Sequence, residues 1–345
     1  MDASMDEKDG ARPQTMQDRR TFLKTLLGAS VAVLPGCGRG SSEAPLVAEP
    51  DRRPSRSRVA VLPAADYREG LCDTVLRGFA LFGLDPRGLR VVLKPNLVEF
   101  DPNGVINTHP AVIAATVDAL LSLGAAQVTV AEGPGHRRDN EYILTASGVL
   151  EVLRERQVRY VDLNFDRVSS VALGSGLSGL GRLHLPTTVL EADLLISMPK
   201  LKTHHWAGVT LSMKNLFGIV PSAIYGWPKN VLHWAGIDQS IVDINSTISM
   251  RRFALVDGIV GMEGNGPIQG EARPAGVLVF GDDFIAVDAS CARLMRIDPE
   301  KVRHLAWAGS FLGNLAEERI DQLGELPSAV QSDFRVLPRF EHIKV

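Results

Sequence analysis

From residue 57 onward, segments typical of buried strands alternate with segments of helical periodicity, and this alternation limits the fold more than any other feature. The segments RVAVLPA (58–64) and LRVVLKPN (89–96) are centred on apolar runs, and LCDTVLRGFALFG (71–83) between them has helical spacing and a terminal glycine. Strands that are apolar on both faces are typical of mostly parallel sheets with helices on each side. The pattern therefore predicts a single α/β domain over residues 57–345, with a mostly parallel sheet covered on both faces.

Polar side chains follow several of the predicted strands at their carboxyl ends. In open α/β sheets, ligands bind beyond the carboxyl ends of the strands. We therefore predict a ligand site at this edge, although a solvated rim of polar loops is an alternative. The residues that the predicted strands bring to this edge are Lys94, Asn96, Glu132, Lys200, Lys202, Asp257, Glu263, Asp282 and Asp283.

A long stretch of the chain contains no acidic residue. Between Asp193 and Asp238 there is no Asp or Glu, whereas four lysines and three histidines fall inside. We predict that a strand ends at Pro199, that a loop carries Lys200, Lys202, His204 and His205, and that a helix begins near Thr210. Loop lysines beside the free N–H groups of a helix start favour an anion, so the stretch predicts a site for a small carboxylate- or phosphate-bearing ligand.

Lys214 lies near the start of the predicted helix, where its positive charge opposes the helix dipole. Such a position indicates either a functional role or a buried partner, and a lysine that simply points into water is the alternative. A partly desolvated lysine has a lowered pKa and becomes a usable nucleophile. We therefore predict that Lys214 contacts the bound substrate or cofactor, with His204 or His205 beside it.

The identity of any metal stays open in the sequence. His109, His204 and Glu132 are the candidate ligands, and His109 is equally well explained as a neighbour of the helix that Pro110 begins. No H-E-x-x-H sequence is present, so a dedicated zinc site is not indicated. The motif G-x-G-x-x-G at 174–179 lacks a following helix and is interpreted as a hairpin loop rather than a nucleotide site.

Two cysteines, Cys72 and Cys291, fall in the predicted domain. Two thiols cannot build a four-thiolate cluster, so no iron–sulfur centre is expected. Each cysteine lies in an amphipathic helical pattern, and two buried thiols are the leading interpretation, with a disulfide between them left open. The net charge of the chain is -3, and no basic face with interleaved aromatic residues marks it as a nucleic-acid-binding protein.

The N-terminal segment has the order of an export signal. Arg19 and Arg20 are followed by a short apolar run over 25–35, which is too short to span a bilayer, since a spanning helix needs about 20 apolar residues. Paired arginines before such a run are the address of the twin-arginine export machinery. We therefore predict a signal peptide over residues 1–37 and a periplasmic location.

The end of the predicted signal peptide raises the question of a membrane anchor. The sequence LPGC ending at Cys37 resembles a lipobox, which would make Cys37 a lipid attachment site and the protein lipid-anchored; ordinary cleavage nearby is the alternative. Residues 38–56 are rich in Gly, Ser, Pro and Arg without periodicity, and they predict a flexible linker.

Several blocks of the sequence, in order, resemble one family. They are VVLKPNLVEF, NTHPAVIAATVDALLSLGA, VTVAEGPG, LLISMPKLKTHHWAGVTLSMKNLFGIVP, VDGIVGMEGNGP and GDDFIAVDA, and together they are similar to the domain-of-unknown-function family 362 over roughly residues 58–300. Many members carry a ferredoxin-like cysteine cluster, which this chain lacks. The resemblance therefore implies the fold and does not imply electron transfer.

A shorter resemblance concerns His204, Ala207, Gly208 and Lys214, which form H-x-x-A-G-x-x-x-x-x-K. The spacing is similar to a motif of the nickel-pincer lactate racemase family. The resemblance implies a histidine for proton or hydride transfer and a lysine that tethers a metal-containing cofactor. The chain departs from that motif just before the lysine, where 211–213 lacks the small, glycine-rich residues expected.

Two functions are consistent with these features. The first is an exported enzyme that acts on a small anionic molecule, in which lysines hold the anion, a histidine moves a proton, and Asp257 or Glu263 orients the histidine or binds a metal. The second is a non-catalytic periplasmic protein that binds an anion or a cofactor. A histidine and a carboxylate within hydrogen-bond reach in one cleft would favour the enzyme.

Overall fold

The computed structural model describes residues 50–135 and 139–345 of the chain. The predicted signal peptide, the candidate lipid site at Cys37 and residues 38–49 of the predicted linker lie outside the described residues. No helix in the described part is long and apolar enough to cross a membrane.

Strands and helices alternate through most of the described chain, as the sequence pattern predicts. The strands are β1 (Ser57–Pro63), β2 (Arg90–Pro95), β3 (Gln127–Glu132), β4 (Arg159–Asp162), β5 (Val168–Ala172), β6 (Arg182–Pro186), β7 (Leu194–Met198), β8 (Lys200–His204), β9 (Gly208–Val209), β10 (Arg251–Asn265), β11 (Gln269–Gly281) and β12 (Ile320–Gly324).

The helices connect these strands and cover the sheet. They are α1 (Leu71–Phe82), α2 (Pro110–Ser122), α3 (Asn140–Ala146), α4 (Val149–Glu155), α5 (Thr187–Leu190), α6 (Leu211–Asn215), α7 (Ser222–Tyr225), α8 (Asn230–Trp234), α9 (Ile237–Thr247), α10 (Phe284–Leu294) and α11 (Arg303–Gly309). Short 3₁₀ helices lie at Leu216–Ile219, Pro299–Lys301, Glu317–Arg319, Pro327–Ala329 and Pro338–Ile343.

In the described residues, one ten-stranded sheet organises the fold, with the order β12-β1-β11-β10-β7-β2-β3-β4; β8 pairs with β10, and β9 pairs with β8. The pairs β1–β12, β2–β3, β2–β7, β3–β4, β7–β10 and β8–β10 are parallel. The pairs β1–β11, β10–β11 and β8–β9 are antiparallel. The protein is therefore α/β with a mostly parallel sheet, as predicted.

Apolar residues pack against both faces of this sheet because successive side chains of a strand point to opposite faces. In β2, Val91 and Leu93 belong to the core formed with α1 and α2, whereas Val92 belongs to the core on the other face, which includes α10. Lys94, two residues beyond Val92, therefore lies on the α10 side at the carboxyl end of the strand.

The structure confirms two local predictions and contradicts one alternative. The glycine-rich segment connects β5 and β6 as an antiparallel hairpin, which confirms the interpretation of the G-x-G-x-x-G motif. The predicted helix near Thr210 is confirmed, since Thr210 is the N-cap of α6. Cys72 and Cys291 are both free thiols, so the disulfide alternative is wrong.

The expected loop after Pro199 is wrong, because residues 200–204 form β8, a buried strand that pairs with β10 at Asp257 and Met262. A second difference concerns the strand expected to end before Asp257. That strand is β10, which is 15 residues long and continues past Asp257 to Asn265. The chain then turns back and pairs with β10 as β11. Asp257 consequently lies within a strand rather than beyond its end.

The chain is in contact with the domain before β1 begins. The guanidinium of Arg52 donates to the carbonyls of Ser246 (2.9 Å) and Gly174 (3.1 Å), and its backbone N–H donates to the carbonyl of Phe311 (2.7 Å). The carbonyl of Pro54 accepts a hydrogen bond from Asn314 Nδ2 (2.9 Å). Within the described residues, Arg52 and Pro54 therefore contact the domain, although both lie inside the segment that the sequence predicts to be a linker.

Candidate functional site

A cavity of about 450 Å³ lies at the carboxyl ends of β2 and β3. Its wall combines residues that end these strands with residues from the acid-free stretch, including α6 and α8. Its charged side chains and imidazoles are Lys94, Glu99, Glu132, His204, His205, Lys214, Lys229 and His233. The predicted strand-end site and the predicted anion stretch thus meet at one cavity.

A buried ion pair forms the floor of the cavity. The Lys94 Nζ lies 2.6 Å from Glu132 Oε2, and the two side chains are 1 % and 2 % exposed. Glu132 also accepts hydrogen bonds from the backbone N–H groups of Leu97 (3.0 Å) and Gly133 (2.9 Å). Burial lowers the pKa of Lys94, and the adjacent Glu132 carboxylate opposes part of that shift. This pair is the only close Lys–carboxylate contact of the cavity wall within the described residues.

Two asparagines hold the ion pair in place. Asn215 Oδ1 accepts from Lys94 Nζ (2.9 Å) and from Asn96 Nδ2 (3.1 Å), and Asn215 Nδ2 donates to the carbonyl of Lys94 (3.0 Å). Asn96 Oδ1 is buried and has no hydrogen-bond partner among the described residues. Since buried polar atoms are normally satisfied, Asn96 Oδ1 is an open acceptor at the edge of the cavity.

Lys214 presents a free amino group to the cavity. Its side chain is half-buried, and the Nζ lies 4.0 Å from the centroid of the Phe217 ring. Within residues 50–135 and 139–345 this Nζ forms no ion pair and no hydrogen bond. Burial, and then the charge of Lys94, lower the pKa of Lys214 to about 7, with Glu132 acting in the opposite direction. Lys214 therefore titrates near neutral pH, and its positive form has no directly paired carboxylate among the described residues.

The proton of His204 has a fixed position. His204 Nδ1 accepts hydrogen bonds from the backbone N–H groups of Trp206 (3.0 Å) and Ala207 (3.2 Å). In a neutral imidazole with an accepting Nδ1, the proton is on Nε2. Burial and the neighbouring Lys214 hold the pKa of His204 well below its usual value, so the ring is neutral at pH 7. His204 consequently offers the cavity a hydrogen-bond donor and cannot accept a proton at Nε2.

His205 and His233 have the opposite tautomer. The only acceptor near His205 Nδ1 in the described chain is the carbonyl of Gly266 (2.8 Å), and His233 Nδ1 faces the carbonyl of Lys229 (3.0 Å). Each Nδ1 must therefore carry the proton, which leaves an Nε2 lone pair that has no hydrogen-bond partner in the described part of the chain. Burial, and then the charge of Lys214, lower the pKa of His233 to about 4. The three imidazoles thus offer one donor and two acceptors.

Lys229 closes the wall on the side of α8. Its Nζ donates to the carbonyls of Gly133 (2.9 Å), Phe217 (2.9 Å) and Gly218 (3.3 Å) and to that of Val220. Gly218 approaches the floor so closely that a Cβ there would overlap Glu132 Oε1 and Lys94 Nζ. Lys229 therefore joins the glycine turn after β3 to the segment that follows α6.

Sequence reasoning did not assign Lys229, His233 or Asn215 to the site. Lys229 and His233 nevertheless fall within the acid-free stretch, and that stretch could have indicated them as site residues. Asn215 has no comparable signal, because an asparagine beside a lysine in a helix has no distinctive pattern.

Two of the predicted anion-binding lysines are outside the cavity. Lys200 Nζ lies 2.6 Å from Asp257 Oδ2 and 3.0 Å from the Tyr67 hydroxyl, in a buried network that also includes the backbone N–H of His109. Lys202 is fully buried and donates to the carbonyls of Ile106 (2.8 Å) and Pro267 (3.1 Å). The free loop lysines expected here are therefore buried donors with protein partners.

The two carboxylates proposed to orient a histidine or bind metal are also elsewhere. Asp257 is fully buried against Lys200, and Glu263 accepts from the backbone N–H (3.0 Å) and Nε (2.8 Å) of Arg335. Neither residue lines the cavity, because β10 continues past Asp257 and Glu263 lies near its far end. The expected pairing of either residue with a cavity histidine is wrong.

The candidate metal ligands do not meet. His109 caps α2, where its Nδ1 accepts from the N–H of Ala111 (3.1 Å), and it stacks on Tyr67 outside the cavity. Glu132 is committed to Lys94, and the His204 Nδ1 lone pair is occupied. No group of three His, Cys, Asp or Glu side chains in the described residues could hold a metal ion.

The nickel-pincer resemblance fits these residues only in part. Lys214 has a free amino group in the cavity, which suits a tethering residue. His204 does not suit the proton- or hydride-accepting role, since its Nε2 already carries a proton. No step is therefore assigned to such a cofactor.

Fold and site together define an α/β protein with a cation-rich cavity at the carboxyl edge of a mostly parallel sheet. The chain belongs to the family described as a domain of unknown function, DUF362, whose model matches residues 91–293. This match confirms the family resemblance seen in the sequence blocks.

Three individual proteins are also similar to this chain. A thylakoid-associated protein from Synechocystis sp. is 29 % identical over 258 residues, which is 72 % of each chain. The lactate racemase apoprotein from Thermoanaerobacterium thermosaccharolyticum is 14 % identical with a TM-score of 0.44, over 70 % of this chain and 58 % of that one. A Thermotoga maritima structural-genomics protein is 14 % identical with a TM-score of 0.34, over 61 % and 55 %. The chain thus spans less than two thirds of either solved structure.

Proposed function

We propose that the protein is an enzyme that binds a small carboxylate- or phosphate-bearing molecule in the cavity and transfers a proton on it. The observation that carries the proposal is the Lys214 amino group, which faces the cavity without an ion pair in the described chain. A charge in a partly dry site without a partner favours a bound counter-ion. The cavity volume of about 450 Å³ is in the range of small-molecule sites.

The roles follow from the protonation of each group. Charged Lys214 holds the anionic group, His204 Nε2–H donates a hydrogen bond to the ligand, and His205 or His233 accepts the proton at Nε2. The Lys94–Glu132 pair and Asn215 keep the floor rigid. These residues replace Asp257 and Glu263 in the mechanism that the sequence suggests.

A second candidate function is binding without chemistry. The pKa of His233 at about 4 makes its imidazole a weak base at neutral pH, and general-base catalysis is most efficient when the pKa is near the working pH. The two functions differ in one measurable product. A panel of carboxylic acids incubated with the protein in D₂O will gain deuterium at carbon only if the protein moves a proton, and mass spectrometry detects it.

Binding is tested with inorganic phosphate and acetate as probes in isothermal titration. The Lys214→Met variant is expected to lose about tenfold or more in affinity, the loss expected for one charge-assisted contact. The control is Lys301→Met, which removes an exposed lysine outside this cavity. Equal affinities of Lys214→Met and the native protein would remove the proposal.

The pH dependence of binding follows from the pKa of Lys214. In the unliganded protein Lys214 is charged below about pH 7 and neutral above it. An anion that needs this charge binds with constant affinity below pH 7 and progressively more weakly as the pH rises, until the pKa of the complex is reached. A nucleophilic role for the neutral amine would give the opposite trend.

The remaining expectations from the sequence stand as proposals. The proposal of a metal-containing cofactor rests on Lys214 alone. A tethered cofactor would appear in mass spectrometry of the native protein as an adduct on the peptide that contains Lys214. Export by the twin-arginine route rests on Arg19 and Arg20, and a periplasmic, lipid-anchored location rests on Cys37. The name of the Synechocystis relative, which states an association with thylakoids, supports a membrane-associated location.

A further inference from the structure

The turn that begins α6 has an unusual backbone. Leu211 has a φ of 44°, in the left-handed region where a non-glycine residue is strained, and its side chain is fully buried. The helix that follows contains only five residues and yet carries both Lys214 and Asn215. Such a short helix has little stability of its own, so its position depends on contacts from elsewhere.

Those contacts come from a carboxylate on the neighbouring helix α10. Asp288 Oδ1 accepts from the backbone N–H of Ser212 (2.7 Å), and Asp288 Oδ2 accepts from that of Met213 (2.8 Å). Asp288 is fully buried and forms no ion pair within the described chain. Burial raises the pKa of Asp288 to about 7, while these two N–H groups lower it. The carboxylate therefore has one visible function, which is to bind the first turn of α6.

We propose that Asp288 is a positioning residue that holds the Leu211 turn and thereby directs Lys214 into the cavity. The carboxylate binds two consecutive N–H groups of the turn, which keeps Leu211 in its strained conformation and orients the residue two positions beyond Ser212. Lys214 is then beside Phe217 and near Lys94, the surroundings that lower its pKa. The inference rests on the proposed function and deepens it, but its test measures the apparent pKa of Lys214 directly and needs no ligand.

The protein contains a matched control for this role. Asp243 on α9 is also fully buried and also accepts two backbone N–H groups, from Leu177 (2.9 Å) and Ser178 (2.8 Å), besides the hydroxyls of Ser175 and Ser178. It holds a loop that does not line the cavity. Asp243→Asn therefore makes the same chemical change in a comparable setting, without touching α6.

The experiment measures competitive acetylation of lysines as a function of pH, with peptide mass spectrometry and the exposed Lys301 as internal reference. In the native protein Lys214 should label with an apparent pKa near 7. In Asp288→Asn its apparent pKa should rise by one unit or more, which lowers its labelling relative to Lys301 by about fivefold or more at pH 7. In Asp243→Asn the profile should stay native.

Loss of the native fold in Asp288→Asn is covered by Asp288→Glu, which keeps a carboxylate that can accept from the turn but displaces it by one methylene, and which should give an intermediate shift. An unchanged Lys214 profile in the folded Asp288 variants overturns the inference, and so does an equal shift in Asp243→Asn. A native profile that already matches an ordinary lysine also overturns it. Failure of phosphate or acetate to bind would count only against the proposed function.

Discussion

The buried pair at the floor of the cavity allows a quantitative prediction. The substitution Glu132→Gln keeps the shape of the side chain and removes its charge. Lys94, only 1 % exposed, is then left without a counter-ion. Breaking a buried pair from one side costs about 3–5 kcal/mol, because the remaining charge stays out of water. At about 2–4 °C per kcal/mol for a domain of this size, the melting temperature should fall by about 6–20 °C.

The variant should also acquire a diagnostic pH dependence. Burial already lowers the pKa of Lys94 below that of the unfolded chain, and loss of the Glu132 charge lowers it further. Between these two pKa values the unfolded state binds more protons than the folded state, so the stability of the variant rises with pH. Part of the lost stability should therefore return between neutral and alkaline pH, relative to the native protein measured under the same conditions.

Differential scanning calorimetry of purified protein provides the assay, and two further variants make it decisive. Asp85→Asn makes the same change in the exposed pair with Arg87 and should leave the melting temperature within experimental error. The double variant of Lys94→Met with Glu132→Gln removes both charges and should be more stable than Glu132→Gln alone. A Glu132→Gln protein that melts like Asp85→Asn would refute the reasoning, as would a double variant less stable than the single one.

Further predictions concern the cavity wall and the N-terminal segment. Gly218→Ala should cost about 1–3 kcal/mol of stability in urea unfolding, because its Cβ overlaps the buried ion pair, whereas Gly135→Ala, which meets only ordinary contacts, should be neutral. Replacement of both Arg19 and Arg20 by lysine should leave precursor in the cytoplasm on fractionation, and normal export would contradict the proposed route. Cys37→Ser should release the protein from the membrane fraction, and a membrane-bound variant would count against lipidation.

The sequence predicts the sheet well because burial on both faces leaves a strong apolar pattern. It fails where strands are amphipathic or unusually long. The segment KLKTH has no apolar run, yet it forms β8 because β10 extends far enough to pair with it. The length of β10 depends on the returning β11, and a pattern of neighbouring residues does not contain that pairing.

The distribution of charged residues along the sequence predicts part of the site. Lys94, Glu132 and Lys214 reach the cavity as the strand-end rule and the acid-free stretch suggest. The positions of protons are not predictable in this way. His204 and His205 are adjacent and chemically identical, and only the backbone groups facing each Nδ1 make one a donor and the other an acceptor.

The contacts of Arg52 with the domain limit the distance between the domain and a membrane anchor at Cys37. If Cys37 is anchored in a bilayer, fifteen Cα–Cα steps connect it to Arg52, which is held on the domain. A chain spans at most about 3.3–3.6 Å per residue, so this connection reaches no farther than about 54 Å. If lipidation at Cys37 is confirmed, this reach sets the greatest distance at which the cavity can meet its ligand from the lipid surface.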